Sequence, residues 1–413
     1  MTRPSAHVDP ARLWQSHLSL ARHGATAAGG VNRQALSDEE IAARRELLDH
    51  AHGLGLAAFT DAAGNFFLRM EGLDAEALPV LTGSHIDSQP TGGRFDGAYG
   101  VLAGIEAIRA LRAAGITPRR PIEVVAWMNE EGSRFAPGMM GSAAFAGAAE
   151  LSAFLAVTDA AGISVGDELA RVGEAFGNVP LRPLGRPVAA YVEAHIEQGP
   201  VLEQEGFSVG VVTGIQGKRT FRVTVTGEEA HAGTAPLRKR RDALLAATAV
   251  IQGLSRQFAD PDDILKFTVG RIEVQPNAPS VVAARAVFSV DLRHPDSRRL
   301  RALGDDIPAL CSQYARPCDA TVRELSSAMS LEFPQAIRDL IRNCAAEIGI
   351  RTLELPSAAG HDARFLHGVC PSGMIFVPCK GGISHNVSES ATAADLADGA
   401  RVLVDVLAAL AED

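Results

Sequence analysis

Apolar positions along the chain fall into two rhythms. Around 98–114, Val101, Leu102, Ile105, Ile108 and Leu111 recur at helical spacing, and around 393–410 Leu396, Val402, Leu403, Val406, Leu407 and Leu410 do the same. Between such stretches lie short apolar runs at 78–81, 122–128 (broken only by Glu123) and 189–192, which predict strands buried on both faces. Asp9-Pro10 and the capping box Ser37-Asp38-Glu39-Glu40 predict the starts of two amphipathic helices. Phe59 and the run 66–70, flanking Asp61-Ala62-Ala63-Gly64-Asn65, predict a hairpin. Strand, helix and strand in this order predict an α/β fold: a mostly parallel sheet covered by helices.

The pattern changes at about Gly214. Strand 221–226, helix 239–258, strands 267–274 and 287–292, helix 297–314 and strand 320–325 give the order βαββαβ, the split unit of a ferredoxin-like α+β domain. We expect an insert at 214–326 and a main domain built from 1–213 and 327–413, where the first pattern resumes with a helix at 334–348 and strands at 352–355 and 374–377. A chain of 413 residues exceeds what one core usually serves, so two domains agree with its length.

Composition narrows the partners. A net charge of -10 disfavours nucleic acid and anionic membrane, and no window holds the roughly eighteen apolar residues of a membrane span. No secretory signal is visible at the amino terminus, so a cytoplasmic location is expected. Cys311, Cys318, Cys344, Cys370 and Cys379 form no CxxC pair, which predicts reduced thiols and no zinc ligands among them. A small molecule is the expected partner.

The chemistry gathers at the predicted strand ends, where open α/β sheets place their sites. The 78–81 run leads into His85, followed by a Gly- and Pro-rich loop ending in Asp96; the 122–128 run leads into Glu130-Glu131; the 189–192 run leads into His195; and a late loop carries His385. Imidazole and carboxylate are ligand types for zinc, manganese or cobalt, and a carboxylate such as Asp96 suits a bridge between two ions. Taken alone, His85 serves equally well as a hydrogen-bonded histidine at a strand end, and Glu130-Glu131 as a solvated acidic turn. An apolar strand that feeds the pair favours function, with one glutamate coordinating and its neighbour free to move protons. His7, His17, His23, His50, His52, His294 and His367 are read as bystanders. Neither HExxH nor GxSxG occurs, and Gly214-Ile215-Gln216-Gly217-Lys218 lacks P-loop spacing, reading instead as a hinge into the insert.

The runs His85-Ile86-Asp87-Ser88, Gly92-Gly93-Arg94-Phe95-Asp96-Gly97, Asn129-Glu130-Glu131-Gly132-Ser133-Arg134-Phe135, His195-Ile196-Glu197-Gln198-Gly199-Pro200, His231-Ala232-Gly233-Thr234, Gly360-His361-Asp362-Ala363 and Gly382-Ile383-Ser384-His385 together resemble the hydantoinase/carbamoylase family of amidases, a branch of the two-metal aminoacylase and carboxypeptidase clan. The likeness covers nearly the whole chain in order. It implies two divalent ions, zinc first and manganese, cobalt or nickel as alternatives, with His85 and His195 on one, Glu131 and His385 on the other and Asp96 bridging. It further implies Glu130 as general base, an inserted domain acting as lid and homodimer contact, and His231 and Arg293 brought to the substrate. Gln198, His361 and the backbone near Gly360 would also face it. One departure stands out: such amidases usually carry asparagine thirteen positions before the substrate arginine, where this chain has Ser280, with Asn277 three positions earlier. The expected reaction is hydrolysis of an N-carbamoyl-L-amino acid or related ureido acid. Allantoate or ureidoglycolate hydrolysis, a same-fold aminoacylase or peptidase, and a non-catalytic binding protein are the alternatives.

Overall fold

In the computed structural model, which describes residues 3–412, the strands Val80–His85, Ile122–Trp127, Ala190–Ile196 and Ser372–Val377 are buried at every position. Strands with no solvent-facing side suit the middle of a sheet covered on both faces. They lie in the order Ser372–Val377, Ala190–Ile196, Val80–His85, Ile122–Trp127, all mutually parallel. The hairpin Ala57–Asp61 and Phe66–Met70 extends the sheet beyond Ile122–Trp127, and Val209–Ile215 pairs antiparallel on the opposite side. Antiparallel flanks on a parallel centre make the sheet mixed, and put three of the predicted ligand-bearing strands next to one another.

The helix Ala98–Ala113 packs on Val80–His85 and against the last helix, Ala393–Glu412, where the Tyr99 hydroxyl donates to the Leu396 carbonyl at 2.9 Å. Their apolar stripes join one continuous core, to which Leu13 and Leu20 of the helix Pro10–Leu20 also belong. Asp9 caps that helix by accepting from the Ala11 and Arg12 amides. The capping box at Ser37 forms only by half: Ser37 accepts from the Glu40 amide, but Glu40 turns its carboxylate to the Leu36 amide and to Arg44. A buried arginine at the next helical turn outcompetes the cap.

His17, one of the expected bystanders, is buried between the rings of Phe95 and Tyr99, and this burial pushes its pKa down to about 3. The ring therefore folds neutral, whereas in the unfolded chain it takes up a proton near pH 6.5. Its contribution to stability is complete above that pH and is lost as pH falls, by about 1.4 kcal/mol at pH 5.5. His17→Leu should lose less melting temperature than wild type between pH 7.5 and 5.5; parallel pH profiles would refute this.

The chain divides into two compact units, residues 3–213 with 333–412 and residues 214–332. The second has its own core around Phe221, Val223, Phe288, Leu292, Leu254 and Ile307. Its antiparallel sheet runs in the order Lys266–Thr268, Arg285–His294, Gly217–Thr226, Asp319–Ala328, with the helices Ala243–Gln257 and Ser297–Tyr314 packed on it. Three details differ from the sequence reading. The predicted strand 267–274 is two pieces, Lys266–Thr268 and Ile272–Gln275, interrupted around Gly270, as a glycine inside a strand permits. The helix begins at Ala243, where Asp242 supplies the cap. The unit runs past 326 to Glu332, where Leu331–Glu332 pairs with Gly214–Ile215.

Among the described residues no helix is long and apolar enough to cross a membrane, and all five cysteines are buried and unpaired.

Candidate metal centre and active site

His85 is the last residue of its strand, and the chain turns at once so that the Asp87 carbonyl meets His85 Nδ1 at 2.9 Å. The Asp87 carboxylate accepts from the amides of Glu130 and Glu131, each at 3.2 Å, and so ties the ends of two neighbouring parallel strands together. Asn129 takes a left-handed φ of 53°, with its side-chain amide donating to the Phe135 and Pro137 carbonyls, and this turns the two glutamates into the pocket. Gly97 closes the Asp96 loop with φ 64°; a Cβ there would lie 2.3 Å from His85 Nε2, so only glycine lets the loop come down over the imidazole.

His195 sits inside the strand Ala190–Ile196, not beyond it as its sequence suggests, and its Nδ1 lies 2.9 Å from the Ile196 carbonyl. The strand continues through Glu193 because that carboxylate is buried and satisfied by the Ser84 hydroxyl at 2.7 Å and the Ala363 amide at 3.0 Å. His385 reaches the site from a loop at φ 53°, its side chain 48% exposed.

These residues form two groups that share Asp96: His85, Asp96 and His195 in one, Asp96, Glu131 and His385 in the other, each with its ligand atoms within 4.8 Å of one another. Asp96 Oδ1 lies 3.8 Å from His85 Nε2 and 3.3 Å from His195 Nε2, while Oδ2 lies 3.3 Å from His385 Nε2; Glu131 Oε2 is also 3.3 Å from that nitrogen. Because backbone carbonyls face Nδ1 of His85 and His195, the neutral rings carry their proton there and aim a lone pair from Nε2 at carboxylate oxygen. The Gly97 amide donates to His195 Nε2 at 3.2 Å, as a lone pair there requires. Burial works against a charge on His85, but Glu130, Asp87 and Asp96 outweigh it and raise its pKa well above the usual imidazole value, and Asp96 raises that of His385, so the cluster without ions holds protons at these contacts. Two bonds of ~2.1 Å to one tetrahedral ion separate ligand atoms by about 3.4 Å, the spacing an ion in place of such a proton requires. The donors present therefore fit two divalent ions.

The charge balance points the same way. Burial drives the Glu130 carboxyl well above the usual carboxylate range, with His85 pulling it back, and burial with the nearby Asp96 charge takes Glu131 up to about 7. Burial also pushes Asp96 up, but His385, His195 and His85 outweigh it and hold it below its ordinary value. His195 is brought down to about 4 by burial, which keeps it the neutral imidazole a metal needs. A buried cluster of this many carboxylates is costly unless cations offset it. Glu130 Oε2 stands 3.5 Å from His85 Nε2 and belongs to neither ligand group, which leaves it free to exchange a proton.

The remaining expected residues fall into two sets. Gln198, at φ 57°, donates from Nε2 to Asp96 Oδ2 at 2.9 Å, so it holds the shared carboxylate. Gly360 is exposed beside the Met139 side chain. His361, expected at the substrate, is only 1% exposed: its ring stands edge-on to His195 at 4.5 Å and its Nε2 meets the Ser357 hydroxyl at 2.9 Å, which suits bracing a ligand rather than contacting a substrate. Glu193, His195 and His361 also form a close group, but the Glu193 carboxylate is already taken by Ser84 and Ala363.

In the second unit, His231 pairs with Val281 across two short strands, and the Ala232 amide donates to the Ser280 carbonyl at 3.0 Å, so His231 and Ser280 share one exposed corner. Asn277, at φ 58°, lies in the turn just before it. His231 Nδ1 accepts from the Gly233 and Thr234 amides at 3.0 and 3.2 Å, leaving Nε2–H as the outward donor. Arg293 pairs with Asp291 at 2.8 Å and lies in register between Lys266 and Lys218, making a row of three cations across adjacent strands.

Residues 81–409 match the model of peptidase family M20/M25/M40. The N-carbamoyl-L-amino-acid amidohydrolase of Rhizobium meliloti is 38% identical over 409 residues, covering 98% of this chain and 97% of its own. A solved hydantoinase/carbamoylase family amidase from Burkholderia multivorans is 43% identical, with a TM-score of 0.90 over 98% of this chain and 99% of that one. The chain belongs to the hydantoinase/carbamoylase amidases of this peptidase family. The allantoate amidohydrolase of Bacillus subtilis strain 168 is 35% identical over 95% of both chains. This amidase is accordingly a hydrolase of C–N bonds other than peptide bonds, which sets aside the peptidase and binding-protein alternatives.

Sequence reasoning gave no task to several residues that shape this amidase's site. Asp87 organises both glutamates, and Gln89 donates to Glu131 Oε2 at 2.8 Å. Glu389 accepts from the backbone of the Asp96 loop. The available signal was an acid two residues after His85 and another four residues after His385.

Proposed function

We propose that this amidase hydrolyses N-carbamoyl-L-amino acids, releasing the amino acid, carbon dioxide and ammonia. The observation that carries the reading is Glu130, largely enclosed, 3.5 Å from His85 and outside both ligand groups, beside the two groups joined through Asp96. His85, Asp96 and His195 would hold one divalent ion and Asp96, Glu131 and His385 the other, with zinc preferred over manganese, cobalt or nickel. When bound, such a pair lowers the pKa of water and polarises the carbonyl.

The chain's own residues supply the rest. Glu130 takes a proton from the water that attacks the carbamoyl carbon and returns it to the leaving nitrogen, so no net charge is left in the pocket. Gln198 keeps Asp96 oriented through the cycle. His231, with both amides on Nδ1, offers Nε2–H to the tetrahedral oxyanion. Arg293, in its row of cations, suits the substrate carboxylate through a planar two-bond pairing, for which Asp291 stands in here. The second unit is also proposed as the contact of a homodimer, checked by light scattering at micromolar concentration.

A second reading has its own support. The Bacillus subtilis relative, 35% identical, is named for allantoate. Both readings keep a ureido group and a carboxylate. The deciding experiment measures ammonia release from N-carbamoyl-L-amino acids, allantoate, ureidoglycolate and an uncharged carbamoyl amine after reconstitution with zinc, manganese or cobalt. Turnover should be fastest on a carbamoyl amino acid, and Arg293→Lys should raise KM for it about tenfold or more at unchanged metal content, the scale of one lost charge-assisted bond. Preference for allantoate would favour the second reading, and equal turnover of the uncharged amine would remove the carboxylate clamp.

A further inference from the structure

Glu389 is a carboxylate to which the reaction assigns no task. It is 4% exposed and lies on the same loop as His385, where its own amide donates to the Asn386 carbonyl at 3.0 Å. Its Oε1 accepts from the amides of Phe95 at 2.8 Å and Asp96 at 3.2 Å. The Asp96 loop wraps around it: a Cβ at Gly93 would lie 1.9 Å from the Glu389 carboxyl carbon, so a larger residue there would displace the carboxylate from its place.

The loop bearing His385 is held internally by short-range bonds alone, a 3-10 turn at Lys380–Gly382 and a turn in which Asn386 accepts from Ser388 and Glu389. Gly381, Gly382 and His385 all have positive φ, and its base is tied by the Lys380 amide to the Ser390 carbonyl at 2.7 Å and by the Gly381 amide to Glu203 at 2.6 Å. Neither tie reaches Asp96. Glu389 does, and it fixes the backbone from which the Asp96 carboxylate aims one oxygen at His85 and His195 and the other at His385.

We propose that Glu389 is a positioning residue that locks the Asp96 loop to the His385 loop, and thereby builds the second ion position out of Asp96, Glu131 and His385. The proposal rests on the two-ion reading above. The acceptor role, not the charge, is what the geometry asks of it: one carbonyl oxygen suffices for both amides. Removing a side chain that orients ligands from behind typically weakens metal binding by about 10- to 100-fold.

The test titrates metal-free wild type, Glu389→Ala, Glu389→Gln and Glu389→Asp with cobalt(II) alone, read by calorimetry and by the visible absorption of the bound ion. Wild type should take two ions per chain. Glu389→Ala should keep the first ion and bind the second about 10- to 100-fold more weakly. Glu389→Gln should stay within about threefold of wild type, because its amide oxygen still accepts, while Glu389→Asp, one methylene too short, should lose more than Gln. Two ions at wild-type affinity in Glu389→Ala would overturn the proposal and leave the two-ion reading intact. Should Glu389→Ala fail to fold, Asp outperforming Gln would overturn it instead, since charge would then be the requirement. A wild-type titration that ends at one ion would overturn the two-ion reading itself, and this proposal with it.

Discussion

Glu130→Gln should bind both ions as wild type does and turn over substrate about a hundredfold or more slowly. The carboxylate lies outside both ligand groups, so its replacement by an isosteric amide removes no metal ligand. What it removes is the only step assigned to it, proton transfer to and from the reacting atoms, which is worth ~10²–10⁴ in rate when the group is well placed. Because the amide retains the shape and half of the hydrogen-bonding capacity, KM should change little. The measurement pairs metal analysis with steady-state kinetics on the best substrate. Loss of an ion in step with activity would make Glu130 a ligand and move the base elsewhere.

Asp96→Asn should be more damaging still, because one carboxylate serves both groups. Its two oxygens meet three imidazoles, at 3.3 to 3.8 Å, and the Gln198 amide at 2.9 Å. An asparagine loses the charge and turns an N–H donor toward nitrogen or metal, so neither ion position retains its full ligand set. Metal content should fall below one ion per chain, and turnover should drop by roughly a thousandfold or more, since activation of water and stabilisation of the oxyanion go together. A thermal readout separates this from misfolding. Any ion that binds only the folded state raises its melting temperature, so added zinc should stabilise wild type and leave Asp96→Asn unmoved. A variant that still binds two ions would show that Asp96 does not bridge.

The amino-acid order alone determined the elements and most of the candidate ligands. Buried parallel strands need apolar residues on both faces, so 122–128 announces itself, and Glu130-Glu131 just beyond it are conspicuous because nothing in a core tolerates them without a partner. Helical spacing likewise marked Ala98–Ala113 and Ala393–Glu412 to within a few residues. His85 and His195 were visible for the same reason, each just beyond such a run, whereas Asp96 and His385 lie in Gly-rich loops. Only the tertiary structure decided how those strand ends meet. The sheet order sets Val80–His85 between Ala190–Ile196 and Ile122–Trp127, and no periodicity encodes that order. The same holds for the residues that aim the ligands. Asp87 reaches the Glu130 and Glu131 amides, and Glu389 reaches Asp96, through side chain to backbone bonds between distant parts of the chain. A single acid that accepts a distant amide is marked in the sequence at most by standing near a candidate ligand, and that does not say which amide it reaches. His361 shows the converse: its motif suggested a substrate contact, but packing against His195 and Phe376 placed it underneath the site, because burial depends on what the rest of the fold lays over a residue.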